Sequence, residues 1–107
     1  MVGVEEFAET TETDSLLKAF PNPFNAQTTI KFALSKSVDV RDMTFKIYNV
    51  LGQVVFSFMP EVTSAQNKFQ FIWDGRNESG AALPSGNYFF VASTAQKNFS
   101  LKLLLIK

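Results

Sequence analysis

From Leu16 to Ile106 apolar and polar residues alternate with a period of two, and the pattern is cut at short intervals by proline, glycine and asparagine. A period of two places one set of side chains on a single face of an extended chain. Ile30, Phe32 and Leu34 alternate with Lys31 and Ala33. Met43, Phe45 and Ile47 alternate with Thr44, Lys46 and Tyr48. Phe69, Phe71 and Trp73 alternate with Lys68 and Gln70, while Tyr88, Phe90 and Ala92 alternate with Phe89 and Val91. No stretch carries the 3.6-residue period of an amphipathic helix.

The pattern predicts strands over 16–20, 28–34, 40–48, 54–59, 68–73, 87–94 and 99–106. Asn49-Val50-Leu51-Gly52 predicts a tight hairpin between the third and fourth, with Gly52 at positive φ. Asn77-Glu78-Ser79-Gly80 and Leu83-Pro84-Ser85-Gly86 each carry a type I turn signature. Pro21-Asn22-Pro23 cannot lie inside a central strand, because neither proline has an N–H to donate. That unit predicts a rigid corner at a sheet edge, with Phe24 plugging the end of the core and Asn25 bonding nearby backbone. About seven short strands with this spacing predict an all-β, immunoglobulin-like antiparallel β-sandwich. The 107 residues fit one such domain, and twelve of them are Phe, which suits a pleated, half-buried surface.

Charge divides the chain. Glu5, Glu6, Glu9, Glu12 and Asp14 are half of all the acids, and no base precedes Lys18. Residues 1–14 read as an acidic flexible linker, with a short edge-pairing strand as the alternative, and 15–107 as the sandwich. The sandwich carries ten bases against five acids, a net of +5. It has no basic run, so nucleic-acid binding is not expected. No apolar run approaches the roughly 20 residues of a membrane span. No secretory signal is visible.

Cysteine and histidine are both absent. Thiol chemistry, disulfides, histidine triads and His- or Cys-ligated zinc are therefore closed to this chain. Asp39 with Asp42, or Asp74 with Glu78, could pair as carboxylates for glycoside hydrolysis, and Asp74, Asn77 and Glu78 could offer oxygens to calcium. All lie at turns with no cleft predicted. The reading is of a non-enzyme without catalytic residues, metal or cofactor. Trp73-Asp74-Gly75-Arg76 reads as core anchor and turn.

Four ordered motifs carry a resemblance. They are Phe20-Pro21-Asn22-Pro23-Phe24-Asn25 with Thr29-Ile30-Lys31-Phe32, then Ile47-Tyr48-Asn49-Val50-Leu51-Gly52-Gln53-Val54. Next come Trp73-Asp74-Gly75-Arg76 with Gly80 and Ser85-Gly86-Asn87-Tyr88-Phe89, and last Lys102-Leu103-Leu104-Leu105-Ile106-Lys107. Together they resemble the type A C-terminal sorting domains of type IX secretion in Bacteroidetes-like bacteria, and are similar to the Ig-like domain of flagellar hook-capping proteins. The resemblance implies the non-catalytic end of a larger exported protein, recognised by outer-membrane secretion machinery and following a catalytic or adhesive domain of the same chain. It implies a secreted or cell-surface location reached through the periplasm, with the signal peptide in the parent protein. The implied recognition surface is Pro21, Asn22, Pro23, Lys102 and Lys107. A carbohydrate-binding module, hinted at by Tyr48 and Phe89, and a passive Ig-like spacer are the alternatives. If the apolar end Leu103–Ile106 is unpaired, it is an edge prone to self-association, and an edge-strand homodimer is expected.

Overall fold

A computed structural model describes residues 16–33, 43–58, 68–94 and 97–107. Seven strands follow in chain order: β1 Leu16–Phe20, β2 Thr28–Ala33, β3 Thr44–Tyr48, β4 Val54–Phe58, β5 Lys68–Trp73, β6 Gly86–Ser93 and β7 Asn98–Leu105. They form a three-stranded sheet ordered β1-β2-β5 and a four-stranded sheet ordered β4-β3-β6-β7. Every pairing between these strands is antiparallel. This is the Ig-like β-sandwich that the alternation predicts. The acidic segment 1–14, Leu34, Asp39, Asp42, the start of the third predicted strand and the connection 60–67 lie outside the described residues.

The two-residue period sorts side chains as expected. Leu17, Ala19, Ile30, Phe32, Phe71 and Trp73 point inward from one sheet, and Phe45, Ile47, Tyr88, Phe90, Ala92, Phe99, Leu101, Leu103 and Leu105 from the other. Each buried aliphatic or aromatic side chain contributes on the order of 2 kcal/mol. Phe45 is the hub of the ring packing, with centroids 4.9 Å from Phe71, 5.5 Å from Phe69 and 6.2 Å from both Phe32 and Phe90. These are tilted or offset pairs at favourable ring separations.

Buried polar atoms of the core find partners. Trp73 donates its indole N–H to the Arg76 carbonyl at 3.0 Å, and the buried Thr28 donates its hydroxyl to the Pro21 carbonyl at 2.8 Å. Tyr88 donates its hydroxyl to the Pro84 carbonyl at 2.7 Å, four residues upstream. That back-bond from the start of a strand is the tyrosine corner of Ig-like sandwiches. Burial raises the Tyr88 phenol above its ordinary pKa.

The predicted hairpin joins β3 to β4. Asn49 Oδ1 accepts the N–H groups of Leu51 and Gln53, and Gly52 takes φ 82°. A bulge between Ile47 and Tyr48 shifts the register there. The Asn77–Gly80 turn closes with Gly80 N–H donating to the Asn77 carbonyl at 2.9 Å. Strand ends differ from the sequence expectation by a residue. β6 begins at Gly86, and the last strand ends at Leu105, its register partner, so Ile106 lies outside it.

Candidate recognition site at the last strand

β1 stops at Phe20, where two prolines remove two successive ladder donors. Both prolyl bonds, Phe20–Pro21 and Asn22–Pro23, are cis. The corner they form is fastened across the sandwich to the opposite end of the chain. Asn22 Nδ2 donates to the Lys102 carbonyl at 2.9 Å, and Asn22 Oδ1 accepts the Leu104 N–H at 3.0 Å. Two residues on, the Phe24 N–H donates to the Leu104 carbonyl at 2.9 Å and the Phe24 carbonyl accepts the Ile106 N–H at 2.8 Å. Phe24 thus makes a one-residue parallel bridge to Leu105. β7 pairs with β6 on its other side, so from Lys102 to Leu105 the last strand is flanked along both edges. The unpaired apolar end that carries an edge risk is covered within the chain.

The other motifs close around the same place. The Phe24 ring is buried and tilts against Trp73 with centroids 5.7 Å apart. Gly75, at φ 75°, lies against Leu105 so closely that a Cβ there would meet Leu105 Cδ2 at 3.2 Å. The Lys107 N–H donates to Ser85 Oγ at 2.9 Å. All four sequence motifs therefore meet in the structure: the hairpin motif through the β3–β6 ladder, and the other three directly at β7.

Of the five residues proposed from sequence, Pro21, Pro23, Lys102 and Lys107 are exposed and Asn22 is half-buried. Lys102 projects from the outer face of the four-stranded sheet, opposite Phe89 in register. Sequence reasoning missed Phe24 and Ser85 as backbone fasteners, and assigned to Asn25 the bonding role that Asn22 performs. The signal was an asparagine held between two prolines.

Of the candidate carboxylates, Asp74 and Glu78 are among the described residues and each has a partner. Asp74 faces Arg76 at 3.8 Å, both exposed, an ion pair of little energy. Glu78 Oε2 accepts the Ser57 N–H at 2.6 Å, and the Glu78 N–H donates to the Val55 carbonyl at 3.1 Å, which caps the outer edge of β4. Asn77 Oδ1 is taken by Ser79 and Ala81. Among the described residues no three acidic side chains gather in a metal-binding cluster, and no helix is long and apolar enough to cross a membrane.

On the solvent face of the four-stranded sheet, Tyr48 and Phe89 are direct cross-strand partners, half-buried, with Val54 and Lys102 completing the row.

The family model described as the FlgD Ig-like domain matches residues 21–98. Two solved structures share the fold. A truncated FlgD from the human pathogen Helicobacter pylori superposes with a TM-score of 0.57 at 22% identity, over 98% of this chain and 71% of that one. PorZ, an essential bacterial surface component of the type-IX secretion system of Porphyromonas gingivalis, superposes with a TM-score of 0.53 at 13% identity, over 95% of this chain. This chain spans only 16% of that protein's length. No curated protein matches the sequence.

Proposed function

The chain belongs to the FlgD Ig-like domain family, and from that premise we propose that it serves as a non-catalytic sorting module of a larger exported protein, read by outer-membrane secretion machinery. The observation that carries this reading is the bracing of Lys102–Ile106 by Asn22 and Phe24. It makes the proline corner and the last strand one rigid surface, with Pro21, Pro23, Lys102 and Lys107 exposed on it. A preorganised surface costs a receptor less ordering entropy than a loose tail does. Because the edge of β7 is occupied there, the receptor reads exposed side chains and the corner rather than adding a strand. The fold shared with a surface component of a type-IX system is consistent with that setting. The cargo is an upstream catalytic or adhesive domain, and the destination is the cell surface or the medium, reached through the periplasm.

The test is to fuse the chain to the C-terminus of a periplasmic reporter in a type IX-competent host. The fusion is expected at the surface or in the medium. Retention in the periplasm overturns the reading and favours a passive spacer. Lys102→Ala with Lys107→Ala is the sharper variant. It leaves the backbone bonds in place and should reduce export; export unchanged by it removes the charge contact from the proposal.

A second reading, sugar binding, is favoured by the Tyr48–Phe89 pair, because neighbouring half-buried aromatic rings on a solvent face can pack against the faces of pyranose rings. Trp73 is buried, so its fluorescence would not report binding there. Titration with soluble polysaccharides, followed by side-chain resonances of Tyr48 and Phe89, decides this reading. Silence at millimolar sugar ends it.

A further inference from the structure

Among the described residues six large apolar side chains are exposed: Phe20, Val50, Leu51, Val54, Ile72 and Ile106. They are scattered along the chain, yet the antiparallel order gathers them at one end of the sandwich. β1, β3, β5 and β7 finish at that end, and β2, β4 and β6 start there. Phe20 closes β1 and shares a row with Thr29 and Ile72 on the outer face of the three-stranded sheet. Val54 opens β4, and Ile106 follows β7. Val50 and Leu51 form the hairpin tip beyond β3 and β4 and are the most exposed, at 67% and 77%.

The turn itself does not need apolar residues there. The Gly52 N–H donates to the Asn49 carbonyl at 3.0 Å, Asn49 Oδ1 accepts the N–H groups of Leu51 and Gln53, and Asn49 Nδ2 donates to Gln53 Oε1 at 2.9 Å. The Val50 and Leu51 side chains take no part in these bonds, and polar residues are the usual occupants of such turns. The same bonds hold the tip in one shape, so inserting it into a partner costs little ordering entropy.

Cations border this end. Lys18 and Lys31 are direct cross-strand partners, and both ammonium groups lie over the Phe20 ring, at 5.6 and 5.4 Å from its centroid. Like charges directly opposite one another are unfavourable, but here one ring face draws both to the same place. Lys107 follows Ile106 and is exposed. Asp74 and Glu78 are the only acids among the described residues. Asp74 faces Arg76, and Glu78 accepts the Ser57 N–H.

We infer that this end of the sandwich docks on an anionic lipid surface. Val50 and Leu51 enter the boundary between headgroups and acyl chains, and Lys18, Lys31 and Lys107 meet the headgroup phosphates. Interfacial binding of this kind adds buried apolar area to the attraction of cations for anionic lipid, and each lysine near such a surface is worth about fivefold in affinity. A projecting tip bordered by lysines suits a deformable surface, which needs no cavity shaped to receive it. The contact is peripheral, and the inference is independent of the sorting role.

The experiment sediments the full chain with vesicles of phosphatidylcholine mixed with phosphatidylglycerol, and with vesicles of phosphatidylcholine alone. Binding is expected to the mixed vesicles above all, and should fall away at about 1 M sodium chloride, where the Debye length is about 3 Å. Val50→Ser with Leu51→Ser changes exposed side chains and leaves the turn's bonds in place. It should weaken binding at least about tenfold, and Lys18→Gln with Lys31→Gln about twentyfold. A paramagnetic label on the acyl chains should broaden the amides of Val50, Leu51 and Gly52 and spare those of Thr44, Ser93 and Asn98 at the opposite end. A chain that stays in solution with the mixed vesicles overturns the inference and leaves the apolar end to a protein partner. Binding that survives the Val50 and Leu51 changes overturns it, as does equal broadening at both ends. Self-association that those two changes abolish, without lipid binding, assigns the end to a second copy and overturns it as well.

Discussion

Asn22 holds Leu104 from 82 residues away, its Oδ1 accepting the Leu104 N–H at 3.0 Å while its Nδ2 donates to the neighbouring Lys102 carbonyl. One amide side chain thereby satisfies two backbone groups of a strand that would otherwise present them as an open edge. Replacing Asn22 by Ala leaves both without that partner. Each such loss costs about 1–3 kcal/mol where the group is buried and less where water reaches it. A total of about 2 kcal/mol is expected for this partly buried pair. Chemical denaturation measures the loss, and amide exchange locates it. Leu104 should exchange faster in Asn22→Ala, while Leu101 and Leu103, paired to β6, hold their protection unless unfolding is global. Wild-type exchange at Leu104 would show that the bracket does not hold the strand.

Gly75 and Gly52 both sit at positive φ but differ in their surroundings. A Cβ at Gly52 meets nothing within 4 Å, whereas one at Gly75 meets both Leu105 methyl groups and the Phe24 ring. Ala at either position takes on backbone strain of about 1 kcal/mol or more. At Gly75 it also presses on a buried leucine in a close-packed interior, for which overpacking costs about 1–3 kcal/mol more. Gly75→Ala should therefore lower the melting temperature clearly more than Gly52→Ala. Equal losses would mean that Leu105 shifts without cost.

The alternation in the sequence reached most of the fold because a strand's facing is a local property. Phe69, Phe71 and Trp73 declare their side within six residues, and the Asn49–Gly52 hairpin and the Asn77–Gly80 turn carry their own closing groups. Strand order across the two sheets is written in no single residue and came only with the structure. The bracing of the last strand was out of reach. Nothing near Asn22 encodes Leu104, and nothing near Phe24 encodes Ile106. The exposed Phe20 was also misleading in isolation, since a five-residue apolar run ending at proline does not say which of its residues face water. Only the pairing of Lys18 with Lys31 fixes Phe20 on the outer face.

Phe45 tests the core directly. Its ring lies among those of Phe32, Phe69, Phe71 and Phe90, which belong to both sheets. Phe45→Ala removes a fully buried ring and leaves a cavity, at about 3–5 kcal/mol. Against a total of about 5–15 kcal/mol for a native domain, that leaves the fold marginal. Phe45→Leu, which keeps more of the volume, should lose distinctly less. A loss below about 1 kcal/mol for Phe45→Ala would contradict the hub position.

Glu78 guards an edge. Its carboxylate and its N–H occupy Ser57 and Val55, two residues of the outermost strand β4. Glu78→Ala frees the Ser57 N–H, while the backbone N–H at position 78 still meets the Val55 carbonyl, and an edge with an open donor invites another strand. The variant is expected to self-associate at concentrations where the unaltered chain does not, with modest loss of stability because the site is exposed. Light scattering and sedimentation measure this. A variant as monodisperse as the parent would show that the bulge between Ile47 and Tyr48 protects β4 by itself.

Tyr88 supplies the pH dependence. Burial disfavours its phenolate, so its pKa is higher in the folded chain than in the unfolded one, where it lies near 10. The folded state therefore holds the phenolic proton more tightly. The stability this represents is fully present below about pH 10 and is lost as pH rises through the unfolded and then the folded value. Tyr88→Phe cannot ionise and escapes that loss. At pH 8 it should be less stable than the parent by about 1 kcal/mol, since the Pro84 carbonyl loses its donor. Melting temperatures of the two proteins should converge between pH 9 and about 11. Whatever the rest of the chain loses at alkaline pH is common to both and cancels in the comparison. A gap that stays constant across that range would show that the Tyr88 phenol keeps the same proton affinity folded as unfolded.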